Sequence, residues 1–87
     1  LYLGVIGEIK PQAYKVVKSL RDQGITVETD YLNRSVKAQM KYANKIGAEY
    51  SLILGEDELK NGVVKVKNMK EGTEQEVSID QIAMALD

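Results

Sequence analysis

Apolar positions in the first two-thirds of the chain alternate between short continuous runs and stripes of helical period; near the end they switch to single alternation. The run at residues 1–6, stopped by Gly7, has the length and composition of a strand buried on both faces. Ala13, Val16, Val17 and Leu20 then recur at the spacing of one helical face, with Pro11 in the first turn, where a missing N–H is harmless. Lys15, Lys18 and Asp22 fall on the opposite side. Gly24 suits the left-handed C′ position and Ile25 the C″ position against Leu20, the pattern of a Schellman ending. Residues 25–28 read as a second strand with Ile25 and Val27 on one face, and residues 30–34 as a polar turn. A second helix spans about residues 35–46, with Val36, Met40, Ala43 and Gly47 within roughly 40° of one line on its wheel. Residues 50–54 form a third buried strand, ended by Gly55.

Beyond the acidic turn Glu56-Asp57-Glu58, the pattern becomes that of hairpins. Lys60-Asn61-Gly62 is turn chemistry, and Val64 and Val66 alternate with Lys65 and Lys67 as in a half-buried strand. Glu71-Gly72 marks a further turn, and residues 75–77 a short last strand. Ser78 and Gln81 are spaced as a capping box and Val77 and Ile82 as a hydrophobic staple, opening a final helix with Ile79, Ile82, Ala83 and Leu86 inward. The order is β-α-β-α-β-β-β-α. Right-handed helical crossovers make the first three strands parallel. The predicted fold is therefore a three-layer α/β/α sandwich: a five-stranded mixed sheet of order 2-1-3-4-5, strand 4 antiparallel, with three helices. Strands 1 and 3 diverge at a switch point near Gly7 and Gly55, where such sheets commonly bind ligands.

Composition narrows what this fold can do. The 87 residues make one small domain, residues 1–87, and its strand-like start without an initiator Met suggests a piece of a longer protein. There is no cysteine and no histidine, so thiolate chemistry, disulfides and a Ser-His-Asp triad are excluded. No catalytic residue and no metal site is expected, and Tyr is the sole aromatic type available for stacking. No apolar run approaches the roughly 20 residues of a spanning helix.

Charge is unevenly placed. The net charge is −1, yet between Tyr31 and Ala48 there are four cations, Arg34, Lys37, Lys41 and Lys45, and no carboxylate. A solvated helix face is the bland reading. However, no acidic residue is interleaved for i,i+4 pairing, and Arg34 and Lys37 stand at a helix N-terminus, where the macrodipole opposes them by about 0.3–1 kcal/mol. A phosphate partner would reverse that sign. The block Glu56-Asp57-Glu58 lacks calcium-loop spacing, and its carboxylates could instead accept hydrogen bonds from exocyclic amino groups of bases. Lys65 and Lys67 read by default as solubility devices of an edge strand. Tyr31 could stack on an unpaired base, although an isolated loop tyrosine is more often packed. Tyr2, Tyr14, Tyr42 and Tyr50 are assigned to the margins of the core. Gly4 and Gly7 are too little for a dinucleotide fingerprint.

Residues 34–48, RSVKAQMKYANKIGA, followed by Tyr50 and LILGEDEL at 52–59, closely resemble the C-terminal anticodon-binding domain of histidyl-tRNA synthetases, a domain type shared with the glycyl, threonyl and prolyl class II enzymes. The resemblance covers essentially the whole chain. It implies a module that holds the anticodon loop of a histidine-specific tRNA, while a separate catalytic domain, with ATP and Mg, performs aminoacylation in a cytoplasmic and homodimeric parent. In the threonyl branch bases are read by an Asn before the second helix, a Glu after strand 3 and an Arg on strand 4. Gapless spacing carries these onto Asn33, Glu58 and Lys67, the last presenting a single ammonium in place of a planar fork. Arg34, Lys37 and Lys41 are assigned to backbone phosphates. Two rival readings stand beside this one: a synthetase-like regulatory or accessory domain contacting other RNA or protein, and a small-molecule-binding α/β domain using the switch point.

Overall fold

A computed structural model describes residues 1–30 and 35–86. The elements, in chain order, are β1 (Tyr2–Val5), α1 (Lys10–Asp22), β2 (Glu28–Asp30), α2 (Val36–Lys45), β3 (Tyr50–Leu54), α3 (Glu56–Asn61), β4 (Val63–Asn68), β5 (Glu74–Ser78) and the 3₁₀ segment η1 (Ile79–Ala85). The five strands form one sheet of order β2-β1-β3-β4-β5. β1 is parallel to both β2 and β3, and β4 is antiparallel to β3 and β5. This is the topology expected from the alternation of runs and stripes.

The alternation of side chains along each strand assigns them to two layers. Leu3 and Val5 of β1, Leu52 and Leu54 of β3, and Val64 and Val66 of β4 face one way. They form the core with Ala13, Val17 and Leu20 of α1, with Val27, and with Ile82 of η1. Tyr2 and Gly4 of β1 and Ser51 of β3 face the other way, toward α2: the Tyr2 hydroxyl donates to Gln39, and the Ser51 hydroxyl lies 3.7 Å from the Met40 sulfur. The β1 strand is buried on both faces, as its unbroken apolar run requires.

Helix ends follow the glycines. At the end of α1 the Gly24 N–H donates to the Arg21 carbonyl (3.0 Å) and the Ile25 N–H to the Leu20 carbonyl (3.1 Å), with Gly24 at φ 84°. The same pair of bonds ends α2, from Gly47 to Asn44 (3.2 Å) and from Ala48 to Ala43 (3.1 Å). Both endings are Schellman motifs.

Several details depart from the sequence expectation. The second strand is Glu28–Asp30 instead of residues 25–28, because Ile25 is consumed in closing α1 and Val27 packs into the core just before the strand begins. The acidic block is not a turn but the first turn of α3, a six-residue helix whose dipole favours the three carboxylates there. Gly62, in the left-handed region at φ 73°, is the C-cap of α3. The last element is a 3₁₀ segment with Gln81 out of helical geometry; the Ser78 side chain makes no cap hydrogen bond, so the capping box does not form. Finally, Val36 is exposed, and Gln39 and Ala43 are the buried residues of α2. The inward line of α2 is thus rotated from Met40 toward Gln39. A polar residue could take that place because Gly4, directly beneath it, has no side chain to occupy the space.

The tyrosines also separate. Tyr2 is fully buried, with its ring 5.8 Å from that of Tyr42 in an edge-on arrangement, while Tyr14 is 61% exposed. Among the described residues, no helix is long and apolar enough to cross a membrane.

Candidate nucleic-acid interface

α1 and η1 cover one face of the sheet, whereas α2 covers only β1 and part of β3 on the other. What remains uncovered is a groove of about 560 Å³ running over β3, β4 and β5. Its floor is Ser51 and Ile53 of β3 with Val63, Lys65 and Lys67 of β4. One wall is Val36 and Met40 of α2, and α3 contributes Glu58 and Asn61 at one end. The groove follows from a topological fact: the chain supplies a crossover helix for the parallel strands but joins β4 and β5 by a direct turn.

The strand register fixes the polar pattern of the floor. In the antiparallel β4–β5 pair Lys65 lies opposite Glu76 and Lys67 opposite Glu74, so each cation has a carboxylate across from it on the same face. β5, not β4, is the edge of the sheet, so the reading of Lys65 and Lys67 as edge devices is corrected: they stand on an interior strand, and Lys67 is half-buried in the groove. Glu58 is half-buried at the α3 end, while Glu56 and Asp57 of the same acidic turn are exposed. Glu58 is therefore the member of the acidic block that lines the groove.

Of the residues singled out in the sequence, Glu58 and Lys67 are brought into this one groove. Lys37, Lys41 and Lys45 are not in it. They lie on the exposed side of α2, whose Val36 and Met40 form the groove wall, so the helix carries cations outside and apolar atoms inside. α2 opens with Ser35 as N-cap, its hydroxyl oxygen accepting from the Ala38 N–H at 3.2 Å, and its first turn holds no acid. Lys37 keeps its unfavourable position near that N-terminus. Tyr31, Asn33 and Arg34 lie outside the described residues. At the switch point Gly55 is buried, and a Cβ there would stand 2.9 Å from Ile6, whereas Gly7 is exposed. The groove reaches this end of the sheet at Ile6 and extends along β3 and β4.

Two features escaped sequence reasoning. The first is the acid–base ladder across β4 and β5, which required the register of the hairpin. The second is the pairing of Gly4 with Gln39. Gly4, too little with Gly7 for a dinucleotide fingerprint, instead leaves room for the Gln39 carboxamide, which a Cβ there would overlap. The signal that could have found it is a glycine inside a strand, which often marks the close approach of another group.

Chemically, the arrangement offers a row of point cations able to take phosphates and, beside it, a shallow groove with donors (Lys65, Lys67, Asn61) and acceptors (Glu58, Glu74, Glu76) among apolar atoms. Such a mixture suits the edges of unstacked bases better than a polyanionic backbone. The chain belongs to the family of anticodon binding domains, whose profile matches residues 3–87. Among individual proteins it is similar to histidine–tRNA ligase of Clostridium botulinum, at 53% identity over 83 residues, 94% of this chain and 20% of that protein. Among solved structures it resembles apo histidyl-tRNA synthetase of S. aureus, with a TM-score of 0.87 and 32% identity across 99% of this chain and 25% of that one. Histidyl-tRNA synthetase of a Nostoc species gives a TM-score of 0.89 at 26% identity, covering 98% and 21% of the two chains. The chain thus spans about a fifth of the length of the curated relatives it matches.

Proposed function

We propose that this chain is the anticodon-binding module of a histidine–tRNA ligase and that it holds the anticodon loop of a histidine-specific tRNA. Lys37 and Lys41 on the outer side of α2 take backbone phosphates, together with Arg34. The groove takes splayed bases, with Glu58 accepting from base N–H groups and Lys67 donating to base oxygens or ring nitrogens. Asn33 and Tyr31 are assigned to bases as well, the latter by stacking. The observation that carries this reading is the meeting of Glu58 and Lys67 in one groove whose wall is the helix bearing the cations.

The same proposal places these 87 residues as one domain of a longer, cytoplasmic, homodimeric enzyme. There, ATP and Mg serve the catalytic domain, and none of the chemistry falls to this one. The direct test is a fluorescence titration with a labelled anticodon stem-loop carrying GUG, set against the same stem with a scrambled loop. Preference for GUG is expected. Equal affinity for both loops would reduce the proposal to sequence-independent RNA binding, and no affinity for either would overturn it.

A further inference from the structure

The ten-residue helix α2 rests on the sheet through the half-buried Met40 and Tyr42, the latter edge-on to the Tyr2 ring, and through two residues that are fully buried. Its buried residues are Ala43 and one polar side chain, Gln39, which is 1% exposed. The Gln39 carboxamide lies across β1 above Gly4. Its Nε2 donates to the Val5 carbonyl at 3.1 Å, and its Oε1 accepts from the buried Tyr2 hydroxyl at 3.3 Å. Val5 is the last residue of β1, one position past the last described pair of the β1–β2 ladder, Gly4 with Asp30. Leu1, which shares the alternation of Val5, turns its carbonyl toward β2, where it accepts from the Glu28 N–H at 2.8 Å. Gln39 therefore supplies to the end of β1 the kind of amide N–H that a neighbouring strand supplies farther back.

An apolar side chain of similar volume could fill this space, but apolar contact is non-directional and leaves a helix free to slide or roll. Two hydrogen bonds to groups fixed on β1 set both the depth and the roll of α2. We infer that Gln39 is a positioning residue for RNA recognition, holding α2 at the one rotation that presents Lys37 and Lys41 outward and Val36 and Met40 as the groove wall. The inference rests on the proposed RNA-binding function and deepens it. Gln39 acts not by touching the ligand but through the helix it anchors.

The overlap with Gly4 provides a test that separates position from stability. Three chains are compared with wild type: Gly4→Ala, Gln39→Ala and the double variant. The methyl of Gly4→Ala meets the Gln39 carboxamide and the Ile53 Cδ1, the latter the far end of a flexible side chain. It should lower the melting temperature, and truncating Gln39 opens room for it, so the double variant should melt higher than additivity of the two singles predicts. Binding of the GUG stem-loop, measured well below the melting transition with folding verified by circular dichroism, should nevertheless stay weaker by roughly threefold or more in both chains lacking Gln39, the scale on which substitutions that touch no ligand alter binding at a distance. Affinity that recovers along with melting temperature in the double variant would overturn the inference, as would a fully folded Gln39→Ala chain that binds like wild type.

Hydrogen exchange decides the matter independently of RNA. Amide protection in α2 should fall in the Gln39→Ala chain while protection in α1 is kept. Unchanged protection in α2 would refute the anchoring even if the wild-type chain bound no RNA at all, an outcome that would remove the proposed function instead.

Discussion

Replacing both Lys37 and Lys41 with Ala should move stability and RNA binding in opposite directions. Both lysines are exposed, and among the described residues the ion pair present is Lys18–Asp22, so neither lysine gives up a salt bridge when removed. Lys37 is the second residue of α2, where it opposes the macrodipole; its removal relieves about 0.3–1 kcal/mol. Alanine is also the better helix former by a few tenths of a kcal/mol at each exposed position. For a domain of this size the gain amounts to an upward shift of a few degrees in melting temperature, at roughly 4–8 °C per kcal/mol.

RNA binding should respond oppositely, because each phosphate contact on a single strand contributes a slope of about 0.7 in the logarithm of affinity against the logarithm of salt. Losing two contacts flattens that slope by about 1.4, and between about 50 and 200 mM salt the affinity of the variant should fall about sevenfold less than that of wild type. The assay is a stem-loop titration at four salt concentrations, with thermal melts of the same samples. Parallel salt plots for variant and wild type would refute the assignment of these lysines to phosphates, whatever happened to the absolute affinity. A lowered melting temperature would refute the electrostatic account of the helix N-terminus.

Two further predictions follow from single contacts. Glu58→Gln keeps one acceptor and turns the other into a donor, so the loss should concentrate on loops that place a base N–H at the α3 end of the groove; an equal loss across a panel of anticodon variants would argue against base reading. Ser35→Ala removes the acceptor for the Ala38 N–H and should lower unfolding free energy by about 1 kcal/mol, checked by urea denaturation, and no change would mean that solvent replaces the cap fully.

Most of the fold was legible because its signals are local. Continuous apolar runs marked the parallel strands, Ala13, Val17 and Leu20 marked the inner face of α1, and Gly24 and Gly47 marked where two helices stop. What could not be read depended on partners distant in sequence. Gln39 is an ordinary polar residue on a helix wheel until Tyr2, Gly4 and Val5 are placed beneath it, and Val36 looks like core until the helix is rolled away from it. The acidic block reads as a turn in the sequence because a six-residue helix is too short to show a period. For the site, the resemblance to synthetase anticodon-binding domains implied Glu58 and Lys67, and the structure brings both into one groove. The carboxylates facing the β4 lysines are set by hairpin register, which turns on the loop between β4 and β5, not on either strand alone.

The ladder of Lys65 opposite Glu76 and Lys67 opposite Glu74 has a kinetic consequence. Adjacent opposite charges cancel at a distance, so the floor of the groove projects almost no field beyond a few ångströms and contributes little to the capture of a diffusing polyanion. The first turn of α2 holds no acid, and the field of its exposed lysines reaches out to about the Debye length, roughly 8–10 Å in ordinary salt. Under the proposed function, encounter falls to the helix and retention to the sheet. Substitutions on α2 should appear mainly in the association rate, and substitutions in the groove mainly in how long a matching loop stays bound.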